Sequence, residues 1–82
     1  MIQITVNLFG QLKELCANSP ISLSLSEHSQ KEDLLDLLEK QFPGFQGLRK
    51  YVMCAVNDEF IDTSYEFKKD DRVDILPPAS GG

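Results

Sequence analysis

An α+β domain, with one helix laid across a mixed sheet of about four to five strands, is what this 82-residue chain spells out. Three observations carry that reading. Apolar residues alternate with polar ones near the amino end (Ile2, Ile4, Val6, Leu8) and again near the carboxyl end (Val73, Ile75), the period of a half-buried strand. A single long stretch, from about Ser29 to Phe42, has its apolar residues at helical spacing. A nearly unbroken apolar run, Val52-Met53-Cys54-Ala55-Val56, lies between the two and reads as a strand buried on both faces. One helix against a sheet makes a two-layer domain.

The elements follow in order. The first strand is broken by Phe9-Gly10, and Gln11 to Cys16 reads as a short helical turn with Leu12, Leu15 and Cys16 on one face. Asn18-Ser19-Pro20 is turn chemistry. Ile21, Leu23 and Leu25 alternate with serines, and a second strand so close behind the first predicts an antiparallel hairpin. Ser29-Gln30-Lys31-Glu32 fits a capping box, in which the serine hydroxyl takes a backbone N–H and the glutamate reaches back. Leu34, Leu35, Leu37, Leu38 and Phe42 then form the buried stripe, with Asp33, Asp36, Glu39 and Lys40 on the far side, and Pro43-Gly44 stops the helix. Phe45 to Tyr51 is an irregular connector. After the apolar run come a turn at Asn57-Asp58-Glu59, short strands at Phe60-Ile61 and Tyr65-Glu66-Phe67, a polar turn at Lys68 to Asp71, and a last strand at Arg72 to Leu76. Strand pairing is not written in these periods.

Composition excludes several function classes. A formal net charge of −5 opposes binding to nucleic acid, whose affinity comes from neutralised phosphates. No apolar stretch is long enough to span a membrane, and the amino end alternates like a strand instead of forming a signal peptide. The two cysteines, Cys16 and Cys54, form no Cys-x-x-Cys pair, and with the single His28 they lack zinc-site spacing. They read as reduced thiols with one or both in the core, a sulfur-relay role for Cys54 being the alternative, and the expected compartment is the cytoplasm. His28 reads as a solvated loop residue. The adjacent acids Asp58-Glu59 and Asp70-Asp71 sit in turns, where such residues have a local structural reason to be. No catalytic constellation emerges, so the chain is not expected to be an enzyme on its own.

The segment Pro77-Pro78-Ala79-Ser80-Gly81-Gly82 carries the chemistry. Each proline fixes its φ and biases the residue before it away from helix. The pair should end the last strand and send residues 77–82 out from a domain of residues 1–76. Six extended residues reach on the order of 20 Å. Gly81 and Gly82 lack Cβ atoms and pass where other residues cannot. The result is a carboxylate on a thin arm, a handle able to enter a narrow active site.

This ending closely resembles that of the small subunits of molybdopterin synthase, a family of ubiquitin-like sulfur carriers. The resemblance runs through Phe9-Gly10-Gln11-Leu12-Lys13-Glu14-Leu15, Ala55-Val56-Asn57 and Asp71-Arg72-Val73. Asp70 stands where the family usually has Gly, and Lys13 where it often has Arg; aspartate tolerates left-handed φ, and lysine keeps the charge without the planar fork. The resemblance implies a β-grasp fold with the first and last strands side by side at the sheet centre. It implies that a partner resembling the ubiquitin-activating class uses ATP to adenylate Gly82, the carrier itself binding no cofactor. A persulfide donor then leaves a thiocarboxylate there. Finally the segment enters the large catalytic synthase subunit, in a heterotetramer, and gives its sulfur to a pterin precursor. Phe60 and Leu76 match family positions that pack on partners, and Lys13 a basic contact. Three alternatives stay open: a carrier for thiazole, cysteine or tRNA thiolation, a ubiquitin-like modifier of lysines, and a plain interaction module.

Overall fold

The computed structural model describes residues 1–15 and 20–77. Strands β1 (Ile2–Leu8) and β2 (Ile21–Leu25), helix α1 (Lys31–Gln41), and strands β3 (Met53–Val56), β4 (Glu59–Phe60) and β5 (Arg72–Leu76) follow one another, with short 3-10 helices at Gly10–Leu15 and Pro43–Phe45. The sheet order is β2-β1-β5-β3-β4. β1 and β2 pair antiparallel, Ile4 opposite Leu23, as the hairpin reading requires. β1 and β5 run parallel, Val6 opposite Val73, and β5 pairs antiparallel with β3. The last strand is therefore the middle one and the first lies beside it, the β-grasp arrangement that the resemblance implied.

Alternation builds the core. Ile4, Val6 and Leu8 of β1, Leu23 and Leu25 of β2, Cys54 and Val56 of β3, and Val73 and Ile75 of β5 point to one face and are buried. Leu34, Leu35 and Leu38 of α1 join them in one cluster, with Leu37 and Phe42 packed at its edge. Full burial of each such side chain contributes about 1.5–3 kcal/mol. Leu12, from the 3-10 helix after β1, and Phe45, from the one after α1, are buried in the same cluster. The predicted turn after β1 is thus a 3-10 helix; Cys16, Asn18 and Ser19 lie outside the described residues.

Turn chemistry does the rest. Asn57 and Asp58 both take positive φ, 50° and 73°, and Val56 pairs with Glu59 across them. Such a two-residue turn matches the twist of the strands it joins, and Asn and Asp are residues that tolerate it. Asp70 takes φ 67°, so the departure from Gly costs the turn nothing visible in its geometry. The Asp70 N–H donates to the Gln3 carbonyl at 2.8 Å. Asp71 is buried, and its carboxylate accepts from the Tyr65 hydroxyl at 2.7 Å and the Lys68 N–H at 2.8 Å. Desolvation first, and that bond second, push the Tyr65 phenol up to about 12.

Four expectations are corrected. The helix is capped one residue later than the capping box predicted. Gln30 is the N-cap and its N–H donates to Asp33 Oδ2 at 2.8 Å, while the Ser29 hydroxyl donates to the Ser26 carbonyl at 2.7 Å. The reason is tertiary: the Phe67 N–H donates to the Ser29 carbonyl at 2.9 Å, which fixes Ser29 outside the helix. Tyr65-Glu66-Phe67 is accordingly no strand; it makes one bridge, Glu66 to Gln30, and inserts Phe67 into the core. β3 is not buried on both faces along its whole length: on the side away from the helix Ala55 is buried but Met53 is exposed. His28 is exposed but not merely solvated, since its Nδ1 lies 2.8 Å from Glu66 Oε1, a bond that raises the imidazole pKa.

One strap was not foreseen. Arg49 contacts Glu32 at 2.8 Å, Asp36 at 2.7 Å and Glu39 at 2.8 Å. These acids form a single row along the outer side of α1, so one guanidinium clamps the connector after the helix onto three of its turns.

Candidate functional site: the sheet face at the root of the C-terminal segment

The sheet face turned away from α1 carries the alternate residues. Register assigns them to rows. Asn7, Asp74, Ala55 and Phe60 stand side by side across four strands, and Met53 and Leu76 form the next row toward the end of β5. Pro77 follows directly. Phe60 is 66% exposed and Met53 43%, and Leu76 is half-buried. Phe9 (41% exposed) closes β1 at the same end, its N–H donating to the Ile75 carbonyl at 3.1 Å, and Tyr51 (62%) stands two residues ahead of Met53. Four of the five large apolar side chains that the described residues expose are therefore on this face or at this end of it. Such clustering goes beyond the single scattered apolar residues of an ordinary surface and makes this face the candidate site.

Of the predicted contact residues, the structure brings Phe60 and Leu76 onto one face at neighbouring rows. Lys13 is exposed on the 3-10 helix after β1, which packs against β5. Pro77 is half-buried at the segment's root, while Pro78, Ala79, Ser80, Gly81 and Gly82 lie outside the described residues. Met53 was missed. The signal was present: in β3 it alternates with Cys54, so if Cys54 faces the helix, Met53 faces away.

Cys54 separates from this surface. It is buried on the helix side, and loss of solvent around the thiol is the chief cause that pushes its pKa up to about 11. Almost none is thiolate at neutral pH, and the thiolate is the form that attacks sulfur. This favours the core reading over the relay reading. Cys54→Ala is expected to lower stability by about 1 kcal/mol; a thermal melt checks it, and an unchanged midpoint would overturn the core reading. Among the described residues no three His, Cys, Asp or Glu side chains converge as metal ligands, and no helix is long and apolar enough to cross a membrane.

Comparison with known proteins adds the following. The ThiS family model matches residues 6–82. The molybdopterin synthase sulfur carrier subunit of Arabidopsis thaliana is 32% identical over 81 residues, covering 99% of this chain and 84% of the relative. The putative molybdopterin converting factor subunit 1 of Pyrococcus furiosus has the same fold, with a TM-score of 0.87 at 22% identity over 96% of this chain and 100% of that one. A third likeness, with a TM-score of 0.73 and 23% identity over 99% of this chain and 100% of that one, is to the complex of subunits 1 and 2 of the molybdopterin-converting factor from Helicobacter pylori.

Proposed function

The chain belongs to the ThiS family of ubiquitin-like sulfur carriers, and from that membership we propose that it is the sulfur-carrier subunit of a molybdopterin synthase. The observation that carries this reading is the likeness to a carrier subunit of that name along 99% of the chain. The apolar sheet face at the root of the Gly-Gly segment supports it, because a carrier has to dock before it delivers.

The chemistry starts at Gly82. Its carboxylate is a poor electrophile. An adenylating partner joins one carboxylate oxygen to the α-phosphate of ATP, and pyrophosphate leaves. The terminal sulfur of a persulfide donor attacks the acyl carbon and AMP departs. A thiol then takes the donor's remaining sulfur as a disulfide, leaving a thiocarboxylate on Gly82. In the large synthase subunit that sulfur forms a bond to a carbon of a pterin precursor while a carbon–oxygen bond there breaks and its oxygen group leaves; water then cleaves the acyl–sulfur bond, restoring the carboxylate and leaving the sulfur on the pterin, and two such deliveries make a dithiolene. This chain contributes the handle and the docking face; the partners contribute the catalytic side chains.

Intact mass tests the reading. After incubation with ATP, the adenylating enzyme and a persulfide donor, the chain is expected to gain the difference between sulfur and oxygen, located at Gly82. It should lose that gain only when the large subunit and the pterin precursor are both added. An unaltered mass overturns the proposal, and loss of the sulfur to a different acceptor redirects it to another pathway.

The docking face makes its own prediction. Phe60→Ala is expected to weaken binding to the large subunit by about 30-fold, an ordinary cost for truncating an aromatic anchor. It should change stability by no more than about 0.5 kcal/mol, because the ring is mostly exposed. Leu76→Ala should show the same order of effects with a larger share in stability, being half-buried. Binding titrations and thermal melts on the same variants separate the two, and loss of folding alone would return both residues to a structural role.

A further inference from the structure

The root of the C-terminal segment has two anchors. One is the Phe9 N–H bond to the Ile75 carbonyl, which extends the β1–β5 pairing by one step. The other is steric. Gly10 opens the 3-10 helix with φ +58°, and a Cβ built on it would stand 3.0 Å from Pro77 Cγ and 3.7 Å from Pro77 Cδ. The Pro77 ring thus lies where any L side chain at position 10 would begin. Glycine meets both demands there, the left-handed φ and the missing Cβ. The ring also holds its own φ, so the bearing of Pro77 is fixed by the body it rests on.

We propose that Gly10 is a positioning residue for sulfur delivery: with Pro77 it forms a seat that sets the direction in which the C-terminal segment leaves the domain. This rests on the carrier reading above and deepens it. The same short helix presents Lys13, so a partner that grips Lys13 also holds the seat. Docking and aim are then one rigid arrangement, and binding strength passes into placement of the reacting atom. Gly10 touches neither the acceptor nor the adenylate and acts only through Pro77.

The test uses the full chain, carrying the thiocarboxylate, with the large subunit and pterin precursor. Single-turnover transfer rate and subunit Kd are measured for wild type, Gly10→Ala, Pro77→Ala and the double variant. Gly10→Ala is expected to slow transfer about 10-fold with Kd nearly unchanged, since a small misplacement costs rate before it costs docking. Pro77→Ala should slow it less. The double variant should lose clearly less than the two single losses multiplied, because alanine at 77 lacks the Cγ and Cδ that the new methyl meets and only the left-handed φ at position 10 is left to strain it. An unchanged Gly10→Ala rate, a loss wholly in Kd, or losses that simply multiply would overturn the seat. If Gly10→Ala does not fold, Pro77→Ala decides alone: a wild-type rate overturns the proposal, and a lowered rate at unchanged Kd upholds it. Nuclear Overhauser contacts between Gly10 Hα and the Pro77 ring report the seat without any sulfur chemistry, and their absence overturns it. A wild-type chain that shows those contacts yet never takes up sulfur would sink the carrier reading instead.

Discussion

Deleting Gly82 is expected to abolish sulfur transfer and to leave the thermal midpoint of the domain where it was. On the proposed carrier reading the reacting acyl carbon is that of Gly82, and a chain ending at Ser80-Gly81 puts that carbon one residue short of its target. Positioning losses of even 1 Å cost on the order of 100-fold in rate, and a residue spans about 3.5 Å. Stability is decided elsewhere: Ile75 is the last core residue in sequence among those described. Binding to the large subunit should survive in large part, since Phe60, Met53 and Leu76 are untouched. Intact mass, a melt and a titration on the one variant give all three readouts, and full transfer without Gly82 would end the carrier reading.

Leu38→Ala is the substitution expected to damage the fold most. Leu38 is 0% exposed at the centre of the stripe on α1. Truncation forfeits the transfer energy of its removed carbons and leaves a cavity that the sheet cannot collapse to fill, at a cost of about 3 kcal/mol. Small domains hold about 5–10 kcal/mol in all, so the midpoint should fall by roughly 15 °C. Lys40→Ala, on the exposed side of the same helix, should shift it by a degree or two at most. Equal effects from the two would mean that α1 does not pack on the sheet as described.

What was legible in the chain was whatever repeats at a fixed period. Ile2 to Leu8 and Val73-Ile75 wrote their strands as alternation, and the leucines of α1 wrote their stripe, because burial on one face forces those periods. What was illegible depends on a neighbour distant in sequence. Ser29 reads as a cap until Phe67 takes its carbonyl. Tyr65 to Phe67 reads as a strand because one deeply inserted phenylalanine and its tyrosine neighbour mimic alternation. Met53 reads as core because it sits in an apolar run; its alternation with Cys54, which the helix covers, is the weaker signal that sets it on the opposite face. Gly10 reads as a strand breaker, and only the fold reveals that Pro77 lies against it. Phe60, Leu76 and Lys13 came from family likeness alone, since nothing in local spacing marks a residue that a partner will cover.

The order of strands has a consequence for how the chain is made. β5 is the middle strand of the sheet, yet it follows all the other elements in sequence. Until Arg72 to Leu76 have left the ribosome, β1 and β3 have no strand between them, and the apolar faces of both halves stay open. A polypeptide stalled short of β5 cannot close its core, and closing it requires pairing the two ends of the chain, the slow kind of contact. The closed body and the segment that follows Leu76 are therefore completed in the same moment of synthesis.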